Sequence, residues 1–171
     1  MTGFNGLGLH LGNLPRLSSA KTRSISAENP TGGKGRGAMA EAHPNGPARE
    51  LGRGWKCSPY VTVAPGETAV LANIEGPGAV QSMWFAGTIM NRDSILRITW
   101  DDQERPSVEC PLPDFFATPW PFQDRRAPTR GPFAPVNSLP VSANPNRGMN
   151  CFWEMPFRDR CRMTLENRHP S

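Results

Sequence analysis

Residues 93–101 read DSILRITWD, and they decide the fold. Ile95, Arg97 and Thr99 fall on one side of this stretch, while Leu96, Ile98 and Trp100 fall on the other. A two-residue period with one apolar side is the signature of a strand laid over a core. Residues 101–104, DDQE, make a polar turn, and residues 106–110 return as a short strand, so the unit predicts a hairpin.

Working outward, residues 79–86 (AVQSMWFA) predict a strand with Val80, Met83 and Phe85 as core candidates. Residues 67–74 alternate between the turn pair Pro65-Gly66 and the turn cluster EGPG at 75–78. Residues 59–63, PYVTV, predict one more strand ahead of that turn. Downstream, residues 150–157 (NCFWEMPF) and 160–167 (RCRMTLEN) predict two strands joined by a tight turn at Arg158-Asp159. In the first of these, Asn150, Phe152 and Glu154 share a face, and Cys151, Trp153 and Met155 share the other; if Trp153 packs inside, Asn150 and Glu154 project together into a cleft or solvent. Six or seven strands without helices between them indicate an all-β sandwich.

The composition agrees. Of 171 residues, 19 are proline and 17 glycine, and 37% are hydrophobic. Proline removes a backbone donor and glycine raises the entropy cost of a helix, so short strands with irregular Pro/Gly-rich loops are favoured. The length suits one domain. Residues 1–54 hold eleven of the glycines and form a segment expected to pack on the sandwich or on a partner subunit. Leu7, Leu9, Leu11 and Leu14 within it suggest a short docking helix. Residues 55–171 form the sandwich domain proper. Residues 111–145 carry nine prolines and the aromatics Phe115, Phe116, Trp120, Phe122 and Phe133, which reads as an ordered, packed loop.

Charge and motifs exclude several functions. The formal charge is +4, from sixteen arginines and three lysines against 15 acidic residues. The basic residues are interleaved with acids, as in Arg158-Asp159-Arg160, with no basic stripe, so no nucleic-acid partner is expected. Cys57, Cys110, Cys151 and Cys161 form no CxxC pair and lie at no ligand spacing from a histidine, so neither a metal nor a disulfide framework is expected. Gly35-Arg36-Gly37-Ala38-Met39-Ala40 matches the dinucleotide fingerprint in letters alone, because no strand precedes it and prolines close off a following helix. No cofactor is expected. No apolar run is long enough to span a membrane and the N-terminus lacks a secretory pattern, so no membrane partner and a cytoplasmic location are expected.

Three local groups suit a carbohydrate. Glu28-Asn29 stands on a turn stiffened by Pro30 and Gly32. A carboxylate accepts two hydroxyl protons and an amide both donates and accepts, although the pair can equally satisfy its own backbone. Asp114 and Phe115 sit at a strand end, a carboxylate beside a ring. Asn150, Trp153 and Glu154 set an aromatic beside polar groups, as a sugar surface or an ordinary amphipathic strand would.

Taken together, residues 21–37 (KTRSISAENPTGGKGRG), 51–84 (LGRGWKCSPYVTVAPGETAVLANIEGPGAVQSMW), 92–117 (RDSILRITWDDQERPSVECPLPDFFA) and 146–167 (NRGMNCFWEMPFRDRCRMTLEN) resemble glycoside hydrolase family 172, earlier domain of unknown function 2961. A departure is Ala117, where glycine usually follows the paired phenylalanines. The resemblance implies jelly-roll sandwiches, a homo-oligomer (trimer or hexamer), and a furanoside substrate with α-linked fructose or arabinose. It implies retaining hydrolysis or transfer by two glutamates that lie beyond residue 171, so the chain is expected to be a truncated N-terminal part with no catalytic residue of its own. Glu28, Asn29, Asp114, Phe115, Asn150, Trp153 and Glu154 are then the substrate-binding candidates. The alternative is a non-catalytic carbohydrate-binding or oligomer-forming β-domain.

Overall fold

The computed structural model describes residues 5–8, 10–46, 48–87, 92–118, 136–144 and 148–170. Among these residues a 3-10 turn at Leu11–Asn13 precedes ten strands and one α-helical turn, in order: β1 Thr68–Glu75, β2 Gly78–Val80, β3 Met83–Phe85, β4 Ser94–Trp100, β5 Val108–Pro111, α1 Leu112–Phe115, β6 Val136–Asn137, β7 Val141–Ala143, β8 Met149–Cys151, β9 Met155–Phe157 and β10 Arg160–Asn167. All pairings are antiparallel. One sheet has the order β1-β10-β4-β5, a second β3-β8-β7-β6, and the pair β2-β9 stands between them in sequence. The chain is an all-β sandwich.

The two sheets bury their apolar faces in a single cluster. Leu96 and Ile98 of β4, Cys161 and Met163 of β10 and Ala72 of β1 meet Met83 of β3, Val141 and Ala143 of β7, and Met149 and Cys151 of β8. Leu112 of α1 and the adjoining Phe116, both fully buried, close one end. Burying a large apolar side chain is worth about 1.5–3 kcal/mol, and this cluster is the main stabilising term of the domain.

The alternation read in residues 93–101 holds, with Leu96 and Ile98 at zero exposure and Trp100 stacked on Phe157 at 6.2 Å. The hairpin to β5 pairs Leu96 with Cys110 and Ile98 with Val108. Asp101 and Asp102 take positive φ at its turn, a conformation open to short polar residues.

Several expectations are corrected. Residues 59–63 enter no sheet. Pro59 and Pro65 bracket them and Tyr60 is 74% exposed, so little but Val63 is buried. The run 79–86 splits at Gln81-Ser82 into β2 and β3, which join different sheets. The run 150–157 splits at 152–154 in the same way, and Trp153 in the break is 53% exposed. The turn at Arg158-Asp159 does join β9 to β10, but the two strands do not pair with each other: β9 pairs with β2, while β10 pairs with β1 and β4. The 111–145 stretch contributes α1, β6 and β7. Its residues 119–135, with Trp120, Phe122 and Phe133, lie outside the described residues, as does Leu9 of the N-terminal segment. The leucine segment forms a 3-10 turn at Leu11–Asn13, with Leu11 and Leu14 exposed.

Two polar devices hold the sandwich edges. Asp101 Oδ1 accepts from the backbone amides of Arg158, Asp159 and Arg160 at 2.9, 2.8 and 3.2 Å, tying the β9–β10 turn to the end of β4. Arg97 of β4 bridges Glu109 of β5 (3.0 Å) and Glu166 of β10 (2.7 Å), and Arg168 adds a second cation to Glu166. These cross-strand charges favour the observed register.

Candidate functional site

Asn29 is consumed by its own loop. Its Nδ2 donates to the carbonyls of Ser24 and Gly33, and its Oδ1 accepts from the Gly33 amide at 3.0 Å. An amide so bound shapes the turn and has little capacity left for a ligand. Beside it, Glu28 Oε1 accepts from the amides of Cys57 (2.7 Å) and Ser58, linking the glycine-rich segment to the chain entering the sandwich. The Ser58 amide, followed by that of Cys57, holds the Glu28 carboxyl below the usual carboxylate range. Burial, then the Glu28 charge, pushes the neighbouring Cys57 thiol up.

Asp114 lies in α1, at the end of β5. Both its carboxylate oxygens are 2.6 Å from Arg92 Nη1, and its side chain is 26% exposed. Phe115, half-buried, meets Phe116 edge-to-face at 5.2 Å, and Phe116 in turn meets Phe85 of β3 at 5.8 Å. Thr118 Oγ1 approaches Met149 Sδ at 3.8 Å, so this corner abuts the start of β8. The sequence held no signal for Arg92 as the partner, since 22 residues separate it from Asp114.

Asn150 is half-buried in β8, opposite Trp84 and Ser142. Beyond it the strand ends, and Phe152 and Trp153 are both more than half exposed. Both oxygens of Glu154 accept from the Gly8 amide, at 2.8 and 2.9 Å, so the N-terminal segment reaches this side chain. The α1 corner and β8 thus adjoin through Thr118 and Met149. Glu28 and Asn29 make their bonds elsewhere, at residues 24, 33, 57 and 58.

The titration of the acids bears on chemistry. Where a carboxyl departs from its ordinary value among the described residues, it is pulled down: Glu28 by backbone amides, Asp101 by the Asp159 and Arg160 amides, and Glu166 by Arg168 and then Arg97. A general acid needs the opposite displacement. Among the described residues no group of three or more His, Cys, Asp or Glu side chains could hold a metal ion, and no helix is long and apolar enough to cross a membrane.

An antiparallel sandwich does not by itself assign a function. Residues 54–171 match the model for the GH172 first beta-sandwich domain, and the chain belongs to that glycoside hydrolase family. No curated protein matches it.

Proposed function

We propose that this chain is the first sandwich of a retaining glycosidase or transglycosidase that acts on α-linked furanosides of fructose or arabinose. The family match over residues 54–171 carries the reading. The domain supplies binding surface, and the nucleophile and acid/base glutamates come from sequence following residue 171.

In the retaining scheme two carboxyl groups about 5 Å apart form and then hydrolyse a covalent glycosyl intermediate. Here Asp114, fixed by Arg92, accepts sugar hydroxyl protons, while Phe115 and Trp153 offer ring faces to C–H surfaces. Asn150 supplies an amide that donates and accepts. Glu154 either bonds substrate directly or holds residues 5–8 as part of the wall, and Glu28 and Asn29 support the wall from their turn. Residues 1–54 pack on the sandwich or a neighbouring subunit of a trimer or hexamer. The second reading is a sugar-binding or oligomer-forming domain without catalysis; Glu28, Asp101 and Glu166 are lowered, the opposite of what a general acid needs.

The test is release of nitrophenol from p-nitrophenyl α-arabinofuranoside and α-fructofuranoside by a protein extending this sandwich through the following domain. Turnover on at least one is expected. Silence on both would overturn the catalytic reading and leave the second.

A further inference from the structure

We infer that the outward row of the second sheet, Trp84–Asn150–Ser142–Asn137, is a binding platform for a neutral oligosaccharide of α-linked furanoses. The register sets Asn137 opposite Ser142, Ser142 opposite Asn150, and Asn150 opposite Trp84. Directly opposed residues share a sheet face, so these four side chains form one line. The flanking rows, Met83–Cys151–Val141 and Phe85–Met149–Ala143–Val136, pack in or against the core, which puts the Trp84 line on the outer face. Trp84 is 62% exposed. At about 4.8 Å per strand the line spans about 14 Å, room for a short chain of sugar rings.

The chemistry of the row selects its occupant. None of the residues in β3, β6, β7 and β8 is charged. The outer face of the first sheet, by contrast, carries Arg97, Glu109, Arg160, Arg162 and Glu166. An anionic ligand or nucleic acid would need cations here. A protein interface would need contiguous apolar area at its centre; the row itself sets one indole among two amides and a hydroxyl, with exposed Phe152, whose amide donates to the Pro140 carbonyl, next to it, so self-association is the outcome that competes with sugar binding. A ring face for C–H groups, flanked by groups that both donate and accept, fits a neutral polyol. A further amide adjoins the indole: a Cβ at Gly148 would lie 3.8 Å from Trp84 Nε1 and 3.3 Å from Asn144 Nδ2.

The ligand class rests on the furanoside reading, but binding here requires no bond cleavage. The whole chain is titrated with α-linked arabino- and fructo-oligosaccharides, followed by calorimetry and tryptophan fluorescence. Saturable binding is expected, weakened about tenfold or more by Trp84→Ala and largely retained by Trp84→Phe. Leu139→Ala, at the fully exposed β6–β7 turn, should bind as the parent does. Absence of binding by the parent, equal binding by Trp84→Ala, or Trp84-dependent self-association without sugar binding would each overturn the proposal. Trp84-dependent binding by a protein silent on both aryl furanosides would remove the catalytic reading and leave this platform standing.

Discussion

Phe157 of β9 lies directly over Gly78 of β2, its register partner, with the ring where a side chain at 78 would begin. A Cβ on Gly78 would stand 2.7 Å from Phe157 Cζ. The same ring stacks on Trp100 of β4 with 18° between the planes. Gly78, Phe157 and Trp100 thus couple the two-stranded pair to the first sheet, and the coupling depends on a missing side chain.

Gly78→Ala should therefore cost about 1–3 kcal/mol through overpacking. In a Phe157→Leu background the same change should cost less, because the atoms it strikes are gone. Urea unfolding of the two single variants and the double variant measures the difference as a coupling energy.

Asn167 is 2% exposed at the end of β10. Its Nδ2 donates to the Val63 carbonyl at 2.9 Å and its Oδ1 accepts from the His169 amide at 3.0 Å. Asn167→Ala leaves the buried Val63 carbonyl without its donor and frees the His169 amide at the surface, and should cost about 1–3 kcal/mol. Amide exchange at Gly66 and Glu67, next to the anchored segment, should accelerate more than exchange at β4.

Burial pushes the Cys161 thiol up to about 11 from an ordinary value near 9. A thiol raised in the folded state keeps its proton while the unfolded chain loses its own, so stability falls as pH rises from about 9 to about 11. The urea midpoint should decline across that window, and less so for Cys161→Ala. At pH 8, Cys161 and the equally buried Cys151 should react with a disulfide reagent at the rate of unfolding, while half-buried Cys57 and Cys110 react faster.

For the proposed binding corner, Asp114→Asn in a protein extending this sandwich through the following domain should lower kcat/KM on a furanoside about tenfold or more, as loss of a charged acceptor does. Circular dichroism should be unchanged. A variant with wild-type kcat/KM would exclude Asp114 from substrate contact.

The strands with a clean two-residue period were legible. Residues 94–100 and 160–167 could be read because long, half-buried strands print their alternation in the sequence. Three-residue strands carry no period, so the divisions at Gln81-Ser82 and at 152–154 stayed hidden in apparently continuous runs. The break at 152–154 also leaves Trp153 exposed, where unbroken alternation would put it on the face of the buried Cys151. Val136–Asn137 and Val141–Ala143 were likewise too short to see within a proline-rich stretch. At the site, Glu28, Asp114 and Glu154 could be picked out as acids in unusual settings. Their partners Ser58, Arg92 and Gly8 could not, because each pairing joins residues distant along the chain. Trp84 was read as part of the strand run, and the row it heads exists only once the register is known.

If a protein extending this sandwich acts on α-furanosides with retention, as proposed, its first product keeps the α configuration. Proton NMR of the product as it is released should show the α anomer first, with the β anomer growing in later by mutarotation. Initial appearance of the β anomer, or no product from either the arabinose or the fructose substrate, would overturn the proposed chemistry.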